Sequence, residues 1–158
     1  MSRKEPEKPH ILVDQREILP LCFCDAFTTE RVLLPVGDYS LRGATETVAI
    51  ERKRNNELQS CCGTDRARFI EQIERMRVYP VRWIVVEATF DDIALGLSRS
   101  NINPLSVLGT IVKFGSDWNI PTMFCGDARN AALFVERILM REFRRIQEAK
   151  KLKMKEAG

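Results

Sequence analysis

Two short apolar runs in this chain end abruptly in charge. Ile11-Leu12-Val13 stops at Asp14-Gln15-Arg16-Glu17, and the alternating segment Thr45–Ile50 runs directly into Glu51-Arg52-Lys53. Runs of this kind, with β-branched members, read as buried strands of a sheet. Several charged side chains at the mouth of one strand, beside a second such cluster, are poor design for stability alone. They are better explained as a site.

The remaining pattern sets the fold class. Arg31–Val36 is a second strand candidate, Gly37-Asp38 has turn chemistry, and Tyr39–Leu41 restarts an extended segment. Gly43 and Ala44 form a hairpin turn before Thr45–Ile50. Thr64 or Asp65 can cap a helix whose apolar positions Phe69, Ile70, Ile73 and Met76 recur at helical spacing, and Pro80 closes it. Trp83–Val86 is an apolar strand ending at Glu87. Pro104–Phe114 reads as a helix and Pro121–Cys125 as a last strand. Asp127 caps a long final helix carrying Ala131, Val135, Ile138, Leu139, Phe143 and Ile146 on one face. Strands first, then alternating helices and strands, predict an α/β fold with a central mixed β-sheet flanked by helices on both faces. The 158 residues suit one domain. It is expected over residues 10–150, after a flexible N-terminal segment 1–9 and before a basic flexible tail 151–158.

Composition narrows the class. No apolar run approaches a membrane span. Met1–Pro9 is charged and lacks the apolar core of a signal peptide, so the chain is expected to stay inside the cell, in the cytoplasm if prokaryotic or phage-encoded. The net charge of +3 permits nucleic-acid binding without demanding it. The basic cluster from Arg141 to Lys155 reads first as a solvated helix face. The five cysteines, Cys22, Cys24, Cys61, Cys62 and Cys125, are odd in number and lack zinc or redox spacing, so buried reduced thiols are expected. His10, the only histidine, stands before the first strand and reads as a solvent-side residue rather than a base.

Alternation along a strand puts Glu51 and Lys53 on one face and Arg52 on the other. Two residues apart, they lie roughly 6 to 7 Å from each other at the backbone. A hairpin brings its arms together, so Asp38 can approach Glu51. Two carboxylates plus backbone carbonyls make a hard oxygen site suited to Mg2+. Lys53 beside them would offer a fixed positive charge to a phosphate. An Asp followed by Glu-x-Lys recurs in unrelated chains, however, and a strand end carrying a surface ion pair gives the same pattern.

Three motifs in order go further. Val13-Asp14-Gln15-Arg16-Glu17, Val36-Gly37-Asp38-Tyr39 and Ile50-Glu51-Arg52-Lys53 resemble the V-D-x-R-E, G-D-Y and E-R-K signatures of the XPF and Hef type of structure-specific endonuclease, of the restriction-endonuclease-like superfamily. Arg68-Phe69 with Gln72 and Met76 is similar to a helix of that family, and Trp83–Glu87 to the strand that follows it. The resemblance implies that Asp38 and Glu51, with the backbone carbonyl of Arg52, hold Mg2+ or Mn2+. It implies that Lys53 is the catalytic lysine, with Asp14, Arg16 and Glu17 completing the site. Where the family pattern has an aspartate four residues after that lysine, this chain has Glu57. Arg16, Arg54, Arg66, Arg68 and Gln72 are expected to contact DNA, tracking phosphates without reading sequence. The helix-hairpin-helix and helicase domains of larger relatives are not expected within these 158 residues.

The function implied is metal-dependent endonucleolytic hydrolysis of branched or junction-containing DNA. The alternatives are an inactive DNA-binding scaffold subunit and a sequence-specific restriction-like dimer. The resemblance also implies a homodimer through the later helices, around Leu105–Phe114 and Leu133–Ile146. The competing reading of those stripes is plain core.

Overall fold

The computed structural model describes residues 7–97 and 100–156. Of the terminal segments expected to be flexible, residues 1–6 and 157–158 lie outside the described residues. Six strands build one sheet: β1 (His10–Asp14), β2 (Thr28–Val32), β3 (Tyr39–Leu41), β4 (Val48–Arg54), β5 (Val81–Glu87) and β6 (Thr122–Phe124). Their order is β2-β1-β3-β4-β5-β6. The β1–β3 and β3–β4 pairs are antiparallel, and the β1–β2, β4–β5 and β5–β6 pairs are parallel. The sheet is mixed, as the sequence pattern predicts.

Parallel neighbours need crossovers. Between β4 and β5 run α1 (Asn55–Cys62), α2 (Arg66–Glu74) and a 3-10 turn, Arg75–Val78. Between β5 and β6 run α3 (Phe90–Ala94) and α4 (Pro104–Trp118). Both crossovers cover one face, where Phe69, Ile73, Val107 and Phe114 pack on Ala49, Ile84 and Val86. The last helix, α5 (Ala128–Glu156), covers the other face and packs Ala131, Val135, Ile138 and Leu139 on Ile11, Tyr39, Ile50 and Val85. The α5 stripe is therefore core. The helix carries Lys151, Lys153 and Lys155 past the boundary at residue 150 drawn from sequence.

Four local readings shift. The second strand is Thr28–Val32, not Arg31–Val36. The amide of Leu34 donates instead to the Asp14 carboxylate, and Pro35 has no amide to offer a ladder. The hairpin strand starts at Val48, because the Thr47 and Val48 amides close a turn on the Ala44 carbonyl. It then runs on through the charged residues, with Glu51 to Arg54 in register against Ile84 to Glu87 of β5. His10 is the first residue of β1 and is half-buried, beside Thr28 and Glu30. Finally, all five cysteines are free, but only Cys62 is buried, and Cys22 and Cys24 are exposed.

Candidate active site

The charged C-terminal ends of the interior strands β1 and β4 meet at one end of the sheet. Gly37 makes this possible. Its φ of +78° lies in the left-handed region, and a Cβ there would stand 3.0 Å from the Ile50 carbonyl oxygen. That tight turn lets the Asp38 amide donate to the Ile50 carbonyl at 2.8 Å, while the Asp38 carbonyl accepts from the Asp14 amide at 2.8 Å. Asp38 thereby joins β1 to β4. Its Oδ2 accepts from the Arg52 amide at 2.8 Å.

The alternation on β4 is as expected. Glu51 and Lys53 face the α2 side, and Lys53 Nζ donates to Glu51 Oε1 at 2.5 Å. Gln72 of α2 donates to the same oxygen at 2.7 Å. Glu51 is fully buried, and its Oε2 has no hydrogen-bond partner. A buried carboxylate oxygen left without a donor is costly and calls for a partner. Lys53 also lies over the Phe69 ring, 5.4 Å from its centroid. Burial pulls its pKa down, but the charges of Glu51 and Asp38 prevail and push it above the ordinary lysine value. Lys53 is thus an ammonium. Burial and the Glu51 charge push the Asp38 carboxyl well above the usual range.

Arg52 points to the opposite face. Its Nε donates to Glu87 Oε1 at 2.5 Å and its Nη1 to Glu17 Oε2 at 2.6 Å and to the Leu19 carbonyl at 2.5 Å. Tyr39 donates its hydroxyl to the same Glu17 oxygen at 3.0 Å. Glu17 and Arg52 therefore brace each other at the wall of the site. Glu87 is a member that sequence reading left out of the site. Its signal was available, since it too ends an apolar strand.

Asp14 is buried and fully satisfied. Oδ1 accepts from the Arg16 amide at 2.9 Å and from its Nε at 2.6 Å. Oδ2 accepts from Arg16 Nη2 at 2.9 Å and from the Leu34 amide at 2.8 Å. It organises the loop rather than offering a free ligand. The Arg16 side chain is 64% exposed and so remains open to an anion.

Glu17, Asp38, Glu51, Lys53, Glu57, Arg68 and Gln72 line a cleft of about 340 Å3. A second depression, lined by Asp14, Arg16, Gly37 and Arg75, shares Glu17, Asp38 and Gln72 with it. Hollows of about 480 and 520 Å3 lie elsewhere against α5 and contain neither Asp38 nor Glu51. Glu57 reaches the cleft wall, but its carboxylate is taken up by Arg54, whose amide and Nε both donate to it at 3.0 Å. By accepting from the Arg54 amide, the Glu57 carboxylate caps the first turn of α1. Arg68 is exposed at the cleft, whereas Arg66 is turned to the Thr110 hydroxyl of α4.

The donor set fits a hard divalent cation. Asp38 and the unpartnered Glu51 Oε2 supply anionic oxygens, with an ammonium close by. Among the described residues there is no cluster of three or more His, Cys, Asp and Glu that could hold a metal ion. Further ligands would thus be backbone carbonyls and water.

A family model described as the ERCC4 domain matches residues 13–138. Among solved structures, the chain is similar to XPF from Aeropyrum pernix, with a TM-score of 0.69 and 21% identity over 91% of this chain and 70% of that one. It is also similar to XPF from Aeropyrum pernix in complex with DNA, with a TM-score of 0.69 and 21% identity over 87% of this chain and 66% of that one. The chain spans about two thirds of the length of these structures. At such identity the likeness speaks for the fold, which is the restriction-endonuclease-like α/β core. No curated protein matches the chain. The family model runs from the end of β1 into α5 and takes in all three charged motifs. The chain belongs to the ERCC4 domain family, and its fold is similar to that of XPF.

Proposed function

We propose that this domain is an endonuclease that hydrolyses phosphodiester bonds in branched or junction-containing DNA, using Mg2+ or Mn2+ held by Asp38 and Glu51. The observation that carries the reading is Glu51 Oε2, fully buried and unpartnered beside an ammonium, in a cleft that a phosphate can enter. A bound divalent cation supplies Lewis acidity to a phosphate oxygen and lowers the pKa of water. The protein's own residues do the rest. Gln72 and Lys53 fix the Glu51 carboxylate through Oε1 and leave Oε2 free. The Arg52 amide orients Asp38. Lys53, held charged, faces the charge that builds on the scissile phosphate. Arg16, Arg54 and Arg68 are the exposed cations that would track phosphates on either side, with low sequence specificity. Arg66, turned to Thr110, is the weaker member of that set.

A homodimer belongs to the same reading. The outer face of α4 leaves Leu105 74% and Val112 62% exposed, one heptad apart, with open space over Gly109 between them. Two exposed aliphatic side chains on one helix face are the kind of patch a second copy of this chain would cover.

The test is cleavage of fork, flap, nicked and linear DNA with Mg2+ or Mn2+. Asp38→Ala and Lys53→Ala should each lower the rate by about a hundredfold or more. Equal cutting by wild type and both variants would overturn the assignment. Binding without cutting by the wild type would favour the scaffold alternative.

A further inference from the structure

The loop that follows β1 carries an apolar crest beside the cleft. β1 and β2 are parallel, so residues 15–27 return along the sheet, and they do so without a helix. Within that return, Ile18 is 87% and Leu19 63% exposed, directly after Glu17 in the cleft wall. Two bare aliphatic side chains side by side are unfavourable in water unless something covers them.

The backbone beneath them is held firmly. Arg31 Nη2 donates to the carbonyl of Gln15 at 3.0 Å and also to that of Glu17. Arg52 donates to the Leu19 carbonyl at 2.5 Å. Upstream, Asp14 is locked by its four contacts. Downstream, Pro20 stiffens the chain, Leu21 is buried, and the Leu21 amide donates to the Tyr39 hydroxyl at 2.9 Å. The two side chains thus stand on a preordered mount, and Ile18 is β-branched with few rotamers to lose. Arg16 and Arg31 flank the crest as exposed residues. An apolar tip bordered by cations complements the open end of a duplex, where a base-pair face is bordered by phosphates.

We propose that Ile18 and Leu19 form a wedge that packs on the terminal base pair where a branched DNA opens beside the cleft. The wedge selects the branch point by favouring DNA that exposes a base face. This rests on the reading of the cleft as a DNA-cleaving site. It adds the element that would tell a junction from a continuous duplex, which Lys53 and the two carboxylates have no means to do.

The experiment uses the full chain and forked DNA with 2-aminopurine at the branch. Without divalent ion, wild type binding should change the 2-aminopurine fluorescence, and I18A/L19A should abolish that change. With Mg2+, the double variant should lose about tenfold in forked over linear cleavage, the size of one lost base contact, while cutting linear DNA at the wild-type rate. Both residues are exposed, so the variant should keep its unfolding midpoint. An unchanged fluorescence response with an unchanged cleavage ratio would overturn the wedge and leave the cleft assignment standing. Cleavage absent with the fluorescence response intact would overturn the cleft assignment and leave the wedge. Wild type that fails to bind forked DNA would overturn both. A crest that instead captures a protein partner would leave the 2-aminopurine signal unmoved, and so would count against the wedge.

Discussion

Asp14 and Asp38 line one depression yet sit in opposite surroundings. Burial pushes the Asp14 carboxyl up, but the Arg16 guanidinium and the amides of Arg16 and Leu34 outweigh it and hold the pKa below the ordinary 3.8. Asp38 has one backbone donor and a neighbouring carboxylate, so burial and charge repulsion raise it. The first is a carboxylate already satisfied by the protein, and the second is one left wanting a cation. The sign of the Asp14 effect follows. Its contribution is complete above the unfolded value of 3.8 and is lost as pH falls through the lower folded value. Asp14→Asn should cost about 2–3 kcal/mol at neutral pH, and the gap from wild type should narrow below about pH 4. Urea denaturation of both proteins across that range checks it. A gap that stays constant into acid would show that ionised Asp14 contributes nothing. The V-D-x-R-E motif was legible as a charged cluster, but sequence could not reveal that its first carboxylate is fully occupied. That depends on a donor, Leu34, that folding brings across from the loop after β2.

At the scale of elements, a single turn sets the distance between the Asp38 and Glu51 carboxylates. Gly37 holds a left-handed φ against the backbone of β4 at Ile50. Gly37→Ala adds a Cβ 3.0 Å from the Ile50 carbonyl oxygen and forces an unfavourable φ. It should cost about 1–3 kcal/mol and reduce cleavage by protein that remains folded, because Asp38 shifts with the turn. Chemical denaturation paired with the cleavage assay reads both effects. Wild-type stability together with wild-type rate would refute the role of the turn. The elements that sequence missed have physical reasons. In α1, Asn55-Asn56-Glu57-Leu58-Gln59-Ser60-Cys61-Cys62 has poor intrinsic propensity, and the helix is set by the Glu57 carboxylate accepting from the Arg54 amide and by Leu58 and Cys62 packing on the sheet. In α3, Thr89 and Asp92 form a capping box that could have been read, but five residues leave no periodicity to see. Glu57, at the position of the family aspartate, is thus tied to helix formation as well as to the cleft wall.

At the scale of the whole molecule, the two helices expected to make a dimer face part company. The apolar stripe of α5 is spent in the core, whereas α4 buries Val107 and Phe114 and leaves Leu105 and Val112 outside. Light scattering should find wild type as a dimer and L105D/V112D as a folded monomer with an unchanged circular dichroism spectrum. A double variant that stays dimeric would move the interface elsewhere. The sequence by itself determined the mixed sheet, the presence of helices on both its faces, the family, and the placement of Glu51 and Lys53 on one side with Arg52 on the other. Those follow from the period of two along a strand and from three local motifs, which need no knowledge of distant contacts. Only the tertiary structure decided which carboxylate oxygen is left unpartnered, that Arg52 is braced by Glu17 and Glu87, and that Ile18 and Leu19 stand bare beside the cleft. Hydrogen-bond satisfaction and exposure depend on what the rest of the chain brings alongside, and no local pattern encodes that.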